Sequence, residues 1–367
     1  MNRLPLVAVL CLGMGCKPAA SDIDQPGGGL VVERSTPMTD ADGILSLEIQ
    51  LQEGDRSFEV TGFGDPYMTL EALYDPNGEL VLWWEDWWSS DEKLTNSFYP
   101  RGPMAFNWPI RDVDGALEPG VWTVELGNID GDLNYIRAEN EVEVFVHVRE
   151  DSDDEGSRVD VQVVYAGGIG ADPDVVEAVE SAVDGWEDIW AGVGIDLRVT
   201  YGDIALGGIV PEPNGGDDAY EAAADANGDD VLTLVVGELI GDTTLYGQSG
   251  NIPGTVAAGP TSVVAVSWLE HAGTNAVFDD DEVRVLSETM AHEVGHYLGL
   301  FHPVNGDYDQ WDALEDTTRC SAEAFCEQEL GSNNMFPFPL WTGTEYQLQD
   351  DLTADQVAVM LRHVAAQ

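Results

Sequence analysis

Between Ile44 and Val148, apolar and polar residues alternate with a period of two in short runs. The runs are Ile44 to Leu51, Ser57 to Thr61, Thr69 to Tyr74, Glu79 to Trp84, Val121 to Gly127 and Glu141 to Val148. A period of two sends successive side chains to opposite faces of a pleated strand, so each run predicts a half-buried strand. Asp75-Pro76-Asn77-Gly78 separates two of them and has the residues of a tight hairpin turn. Six strands with turn punctuation and no helical period predict an all-β sandwich over residues 38–150.

The pattern changes after an acidic linker, Asp151-Ser152-Asp153-Asp154-Glu155-Gly156-Ser157. Arg158 to Tyr165 is alternating and β-branched, hence a strand. Asp172-Pro173 has the form of a helix start, and Val175, Val176, Val179, Val183, Trp186 and Trp190 then fall on one helical face. Ile195 to Thr200 and Val231 to Val236 predict further strands, Ser262 to Trp268 another, and a C-terminal amphipathic helix carries Met360. Strands interleaved with helices predict an α/β (α+β) domain over residues 158–367, with a mixed sheet.

Within that domain lies His292-Glu293-Val294-Gly295-His296-Tyr297-Leu298-Gly299-Leu300-Phe301-His302. Residues four apart on a helix project about 40° from one another, so His292 and His296 can share one ion. Gly299, lacking a Cβ, can take a positive φ that ends the helix and turns the chain so that His302 comes underneath. Three neutral imidazoles leave one position open on a tetrahedral ion, which is the arrangement of a catalytic zinc site. Glu293, beside the first ligand, is placed to act as general base on water acidified by the metal. HExxH by itself also occurs in ordinary amphipathic helices; Gly299 and His302 supply the remainder of a metal site.

Composition narrows the setting. With 69 acidic residues against 14 basic ones and a formal charge of −55, the chain repels a phosphate backbone, and nucleic acid is not an expected partner. Residues 1–16 combine Arg3, an apolar run and small residues, and predict an export signal too short to span a bilayer. Leu12-Gly13-Met14-Gly15-Cys16 resembles the lipobox of bacterial lipoproteins, although Gly13 stands where leucine is usual. That resemblance implies lipidation at Cys16 and a cell-envelope location, with plain secretion as the alternative. Residues 17–37 are Gly- and Pro-rich and predict a flexible tether. Cys320 and Cys326 are then an even pair, close in sequence, in a compartment where disulfides persist, and are expected to bond to each other.

The zinc block is similar to the signature of the metzincin metalloproteases, and within that clan to the pappalysin-type (cytophagalysin) branch; the likeness spans residues 158–367. It implies a zinc endopeptidase acting on protein or peptide substrates, with zinc on His292, His296 and His302. It also implies a methionine turn supporting the histidines, for which Asn333-Asn334-Met335-Phe336-Pro337 stands in the corresponding place. Some clan members carry a tyrosine two residues after this methionine; here that residue is Pro337, leaving Tyr308 or Tyr346 to approach in space. The strand before the helix is implied to be the substrate-aligning sheet edge, against an interior strand as the plain alternative. The branch places acidic residues after the third histidine, so Asp307, Asp309, Asp312, Glu315 and Asp316 are candidates for calcium. The acidic loops at Asp112 to Gly115 and Asp130 to Asn134 are weaker candidates, best read as solvated turns.

Trp83-Trp84-Glu85-Asp86-Trp87-Trp88 reads as alternating sandwich core or, if exposed, as a surface for sugar rings or a partner; burial is the preferred reading. A second functional class follows from the exposed case: a surface polysaccharide- or protein-binding lipoprotein with a non-catalytic zinc site. A monomer is expected in either case, touching a membrane only through an N-terminal lipid.

Overall fold

The computed structural model describes residues 30–65, 67–84, 90–97, 103–150, 157–228, 231–273 and 276–367. The expected export signal, Cys16, most of the tether, Trp87, Trp88 and the acidic linker lie outside the described residues.

The strands of the N-terminal half are β1 (Leu30–Ser35), β2 (Ile44–Leu51), β3 (Asp55–Gly64), β4 (Tyr67–Tyr74), β5 (Leu80–Trp83), β6 (Glu92–Lys93), β7 (Met104–Trp108), β8 (Gly120–Ile129) and β9 (Val142–Glu150). All but β6 form two four-stranded sheets, in the orders β1-β9-β3-β7 and β2-β8-β4-β5, with antiparallel pairing throughout. Strand β2 shows why: Leu45, Leu47, Ile49 and Leu51 are buried while their neighbours face outward. Phe58 of one sheet meets Trp122 of the other, ring centroids 6.1 Å apart. The hairpin turn forms as expected, with Asp75 Oδ1 accepting from the backbone N–H of Asn77 and Glu79.

Two strands of these sheets are not legible in the local pattern. Residues 30–35, expected to belong to the tether, are an edge strand paired with β9, a partner more than a hundred residues away. Met104–Trp108 is buried at every position and so shows no alternation. The expected burial of the tryptophan cluster is corrected at its start: Trp83 is exposed on edge strand β5, and Trp84 is half-buried against Tyr135.

The C-terminal half runs β10 (Ser157–Tyr165), α1 (Pro173–Ala191), β11 (Ile195–Asp203), β12 (Ile209–Val210), α2 (Asp218–Asn227), β13 (Val231–Gly237), β14 (Leu239–Ile240), β15 (Gly247–Ser249), β16 (Val263–Ser267), α3 (Trp268–Ala272), α4 (Asp280–Tyr297), β17 (Trp311–Asp312), α5 (Glu323–Leu330) and α6 (Ala354–Arg362). Five strands make a mixed sheet ordered β11-β10-β13-β16-β15, parallel except for β15. Both faces are covered: Leu234, Val236, Val264 and Val266 join the main core under α1 and α4, while Val235, Val263 and Ala265 pack with Tyr220 beneath. Strand β16 is therefore interior, and the implied edge role moves to β15. The structure as a whole is mixed α/β, with several sheets and few helices.

The two halves share one continuous core, which runs from Leu47 and Phe58 to Met290 and Val364. A buried polar knot joins them. Glu59 of β3 accepts from Thr255 Oγ1 (3.0 Å), Thr61 Oγ1 (3.0 Å) and the Val256 backbone N–H (3.2 Å). His147 and His363 stand 3.6 Å from its carboxylate oxygens, too far for hydrogen bonds. Burial drives His147 down to about 3 and His363 to about 4, so both are neutral. Thr255 is also the acceptor for Tyr297 Oη (2.6 Å), which fixes the last residue of α4. Backbone pairing of β6 with β17 ties the loop beyond His302 to the same half.

Candidate metal centre

Helix α4 carries the site. Asp279 caps its start, accepting from Glu282 N while the Glu282 carboxylate accepts from Asp279 N, and three further acids in the first turn favour the positive helix end. The last turns are buried from Val285 to Tyr297 apart from a half-exposed His292. At the far end Gly299 adopts φ +102°, and Leu300 N–H reaches back to the Gly295 carbonyl (3.0 Å), so the chain reverses as its glycine allows.

The bend brings His302 under the helix. His302 Nε2 lies 3.1 Å from His292 Nε2 and 3.1 Å from His296 Nε2. Among the described residues, these three form the one set of metal-ligating side chains whose atoms all lie within 4.8 Å of one another. Their protonation is settled by the opposite nitrogens. His292 Nδ1 donates to the Asn334 carbonyl (2.6 Å) and His296 Nδ1 to the Leu300 carbonyl (2.6 Å). A neutral imidazole has one N–H, so both Nε2 atoms present bare lone pairs. Burial holds the rings neutral, lowering His292 to about 4, His296 to about 3 and His302 well below its usual value, with the neighbouring histidines adding to the last two.

Lone pairs converging at 3.1 Å repel unless something shares them. A single proton on His302 Nε2 could satisfy one neighbour but not both. A tetrahedral ion with bonds of about 2.0–2.1 Å has ligand-to-ligand edges of about 3.3 Å, so the spacing suits zinc. Both backbone acceptors have the orienting role that metal-bound histidines require.

Met335 is fully buried, and its Sδ would lie 2.7 Å from a Cβ built on Gly295, which places it against α4 beside the helical histidines. Asn333 Oδ1 accepts from Met335 N (2.9 Å), and Asn334 Nδ2 donates to the carbonyls of Glu288 and Gln349. That segment fixes both the sulfur and the carbonyl that orients His292. Asn334 and Leu300 act here through backbone oxygen, which has no side-chain signature to read.

Glu293 lies on the other side of the site, against edge strand β15. A Cβ on Gly247 would meet Glu293 Cγ at 2.5 Å, and burial pushes the carboxyl up to about 8 against a backbone hydrogen bond from Ser249 that lowers it. A cavity of about 300 Å³ opens beside it, lined by His292, Glu293, Tyr246, Val285, Phe336 and Phe338 among others. Tyr346 lies close to Tyr246, which lines the cavity, whereas Tyr308 packs with Cys320, Cys326 and Phe336. Cys320 and Cys326 are disulfide-bonded.

The acidic residues after His302 are not brought together. Asp309 accepts from Asn305, Asp316 from the Asp355 backbone at the start of α6, and Asp312 is buried and accepts from Thr317. Burial raises Asp312 to about 7. With Asp307 exposed, these side chains terminate turns and helices separately, and no three of them share a point. The loops at Asp112 and Asp130 are turns too: Asp114 accepts from Arg111 and Asp130 from Asp132 and Asn134.

This chain is similar to solved structures. Metalloproteinase-II from Bacteroides fragilis is 14% identical over 59% of this chain, with a TM-score of 0.33. The chain spans 61% of that protein's length. Myroilysin is 14% identical over 57% of this chain and 92% of its own, with a TM-score of 0.25. No family model and no curated protein matches the sequence.

Proposed function

We propose that this chain is a zinc-dependent endopeptidase of metzincin type, closest in motif to the pappalysin branch. The observation that carries the reading is the convergence of three Nε2 lone pairs, two of them enforced by carbonyls behind the rings, beside a buried carboxylate and an open cavity. His292, His296 and His302 would hold the ion, with Met335 as their apolar support. Bound there, zinc supplies Lewis acidity, acidifying water and polarising a carbonyl.

The remaining chemistry belongs to the chain. In its ionised form, which a cation bound beside it would favour against the effect of burial, Glu293 takes a proton as the water oxygen bonds to the peptide carbon, and delivers it to the amine nitrogen as the C–N bond breaks. The neighbouring β15 edge offers backbone groups to an extended peptide, and the packing of Gly247 against Glu293 keeps that peptide close to the base. The two N-terminal sheets form a sandwich that buttresses the end of α4. In this reading the protein is exported, lipidated at Cys16 and monomeric.

Hydrolysis of denatured casein, abolished by 1,10-phenanthroline and restored by zinc, tests the activity. Glu293→Gln is expected to retain zinc while losing about 10²–10⁴-fold in rate, because it removes the base and no ligand. Binding of casein without cleavage by the wild-type protein would overturn the proposal in favour of a binding protein with a structural metal.

A further inference from the structure

The segment beyond Met335 combines two properties that are uncommon in this chain. Between Glu329 and Asp350 the only charged residue is Glu345, in a protein with 69 acidic side chains. It also exposes large apolar groups: Phe338 is 36% accessible, Trp341 58% and Leu348 49%. Exposed apolar residues scattered singly are ordinary, but several on one short segment with a single charge point to a contact surface.

These residues sit on a small hairpin. Gln347 N–H bonds to the Leu340 carbonyl (2.7 Å), Trp341 bridges Tyr346, and Thr342 N–H bonds to the Glu345 carbonyl (2.9 Å). Trp341 packs edge-on against Tyr346, centroids 5.0 Å apart. The hairpin is fastened to the zinc helix, since Arg284 of α4 donates to the Tyr346 carbonyl (2.9 Å) and makes an ion pair with Glu288. Gln349 Nε2 holds its base through the carbonyls of Phe338 and Gly331.

The patch is continuous with the cleft. Phe338, Pro339 and Gln349 line the cavity directly, together with Tyr246 and the exposed Leu245, and Tyr346 of the hairpin lies close to Tyr246. A peptide leaving the cavity past Phe338 and Pro339 therefore meets the hairpin that carries Trp341 and Leu348.

We propose that this hairpin is an apolar extension of the substrate cleft, which binds aromatic or aliphatic side chains of an extended polypeptide several residues beyond the cleaved bond. The occupant rests on the peptidase reading above. The chemistry of the lip favours unfolded chains, whose apolar side chains are exposed, over folded acidic or glycosylated surfaces. Tryptophan is the residue type most often dominant at such contacts.

Two fluorogenic peptides with the same residues across the cavity test it, one ending there and one extended by a segment containing Phe and Leu; a third has Ser in their place. Trp341→Ser and, independently, Leu348→Ser are expected to lower the ratio of kcat/KM for the apolar long peptide to that for the short one by about tenfold, through KM. The ratio for the Ser-substituted peptide should not move. Equal losses on both long peptides, or no loss with correctly folded variants, would overturn the proposal. Affinity of the labelled apolar peptide for the Glu293→Gln protein, with and without Trp341→Ser, is read by fluorescence anisotropy. It separates failure of the lip from failure of the peptidase reading, because it requires no turnover.

Discussion

Replacing Glu59 by alanine probes the knot that ties the N-terminal sheets to α4. The Glu59 side chain is fully buried, as are the partners that donate to it from Thr61, Thr255 and Val256. Without the carboxylate, Thr61 and Thr255 can still bond to each other, since their hydroxyl oxygens are 2.6 Å apart. That leaves the Val256 amide and one hydroxyl proton stranded in the interior, at about 1–3 kcal/mol each. Removing a buried polar group recovers some of that cost, so the net destabilisation should be about 2–4 kcal/mol. Glu59→Gln keeps one acceptor oxygen and nearly the same shape, and should cost less than about 1.5 kcal/mol. Urea denaturation followed by circular dichroism gives both values, and thermal melting should place the alanine variant several degrees lower. Because Thr255 also holds Tyr297, peptidase activity of Glu59→Ala should fall below that of Glu59→Gln at temperatures where both are folded. An alanine variant as stable as wild type would refute the reasoning. So would a glutamine variant as damaged as alanine, since that would place the energy in charge pairing with His147 and His363 instead of in hydrogen-bond acceptance.

Gly295→Ala should disturb the metal centre more than the fold: the added methyl meets Met335 Sδ at 2.7 Å, and the sulfur must yield. Zinc retention under chelator challenge is expected to fall about tenfold, the lower end of the 10–100-fold seen when outer-shell partners of a metal site are disturbed, while the unfolding free energy of the metal-free protein changes by less than about 2 kcal/mol; unchanged retention would contradict the supporting role of Met335. His271 is buried, bonded to the Ser267 carbonyl and Thr289, and burial depresses it to about 4. Its unfolded value is higher, so the unfolded chain binds the extra proton and stability is lost as pH falls from about 6.5 toward 4, by about 2 kcal/mol at pH 5. Denaturation at pH 7 and pH 5 should therefore differ less in His271→Gln than in wild type by about that amount, and an equal difference would contradict a neutral buried imidazole.

The parts of this molecule legible in the sequence are those whose signal is local. Strand β2 was bounded correctly because one face of its sheet is buried and the other wet, so the period of two is explicit in Ile44–Leu51. Gly299 and the histidine spacing were legible because helix geometry and a positive φ are properties of a few neighbouring residues. Strand β1 was not, because its pairing to β9 is long-range and Gly27 to Gly29 dominate the composition before it. Strand order is non-local as well: nothing in Val263–Ser267 says that Gly247–Ser249 will pair outside it and become the edge. The acidic run after His302 reads as a cation site because composition counts carboxylates and not directions; in space Asp309, Asp312 and Asp316 accept from different turns. The knot at Glu59 gave no signal, since a glutamate in an alternating strand reads as a solvent-facing residue.

Metal content is the measurement closest to the core of the account. Elemental analysis of the mature protein, purified without added metal or chelator and then dialysed against trace zinc, should find one zinc per chain in wild type and in Glu293→Gln. His302→Ala, which keeps the helix and removes the ligand beyond the bend, should lose it under the same dialysis. Metal-free wild-type protein, or full zinc occupancy in His302→Ala, would contradict a centre built from these three imidazoles.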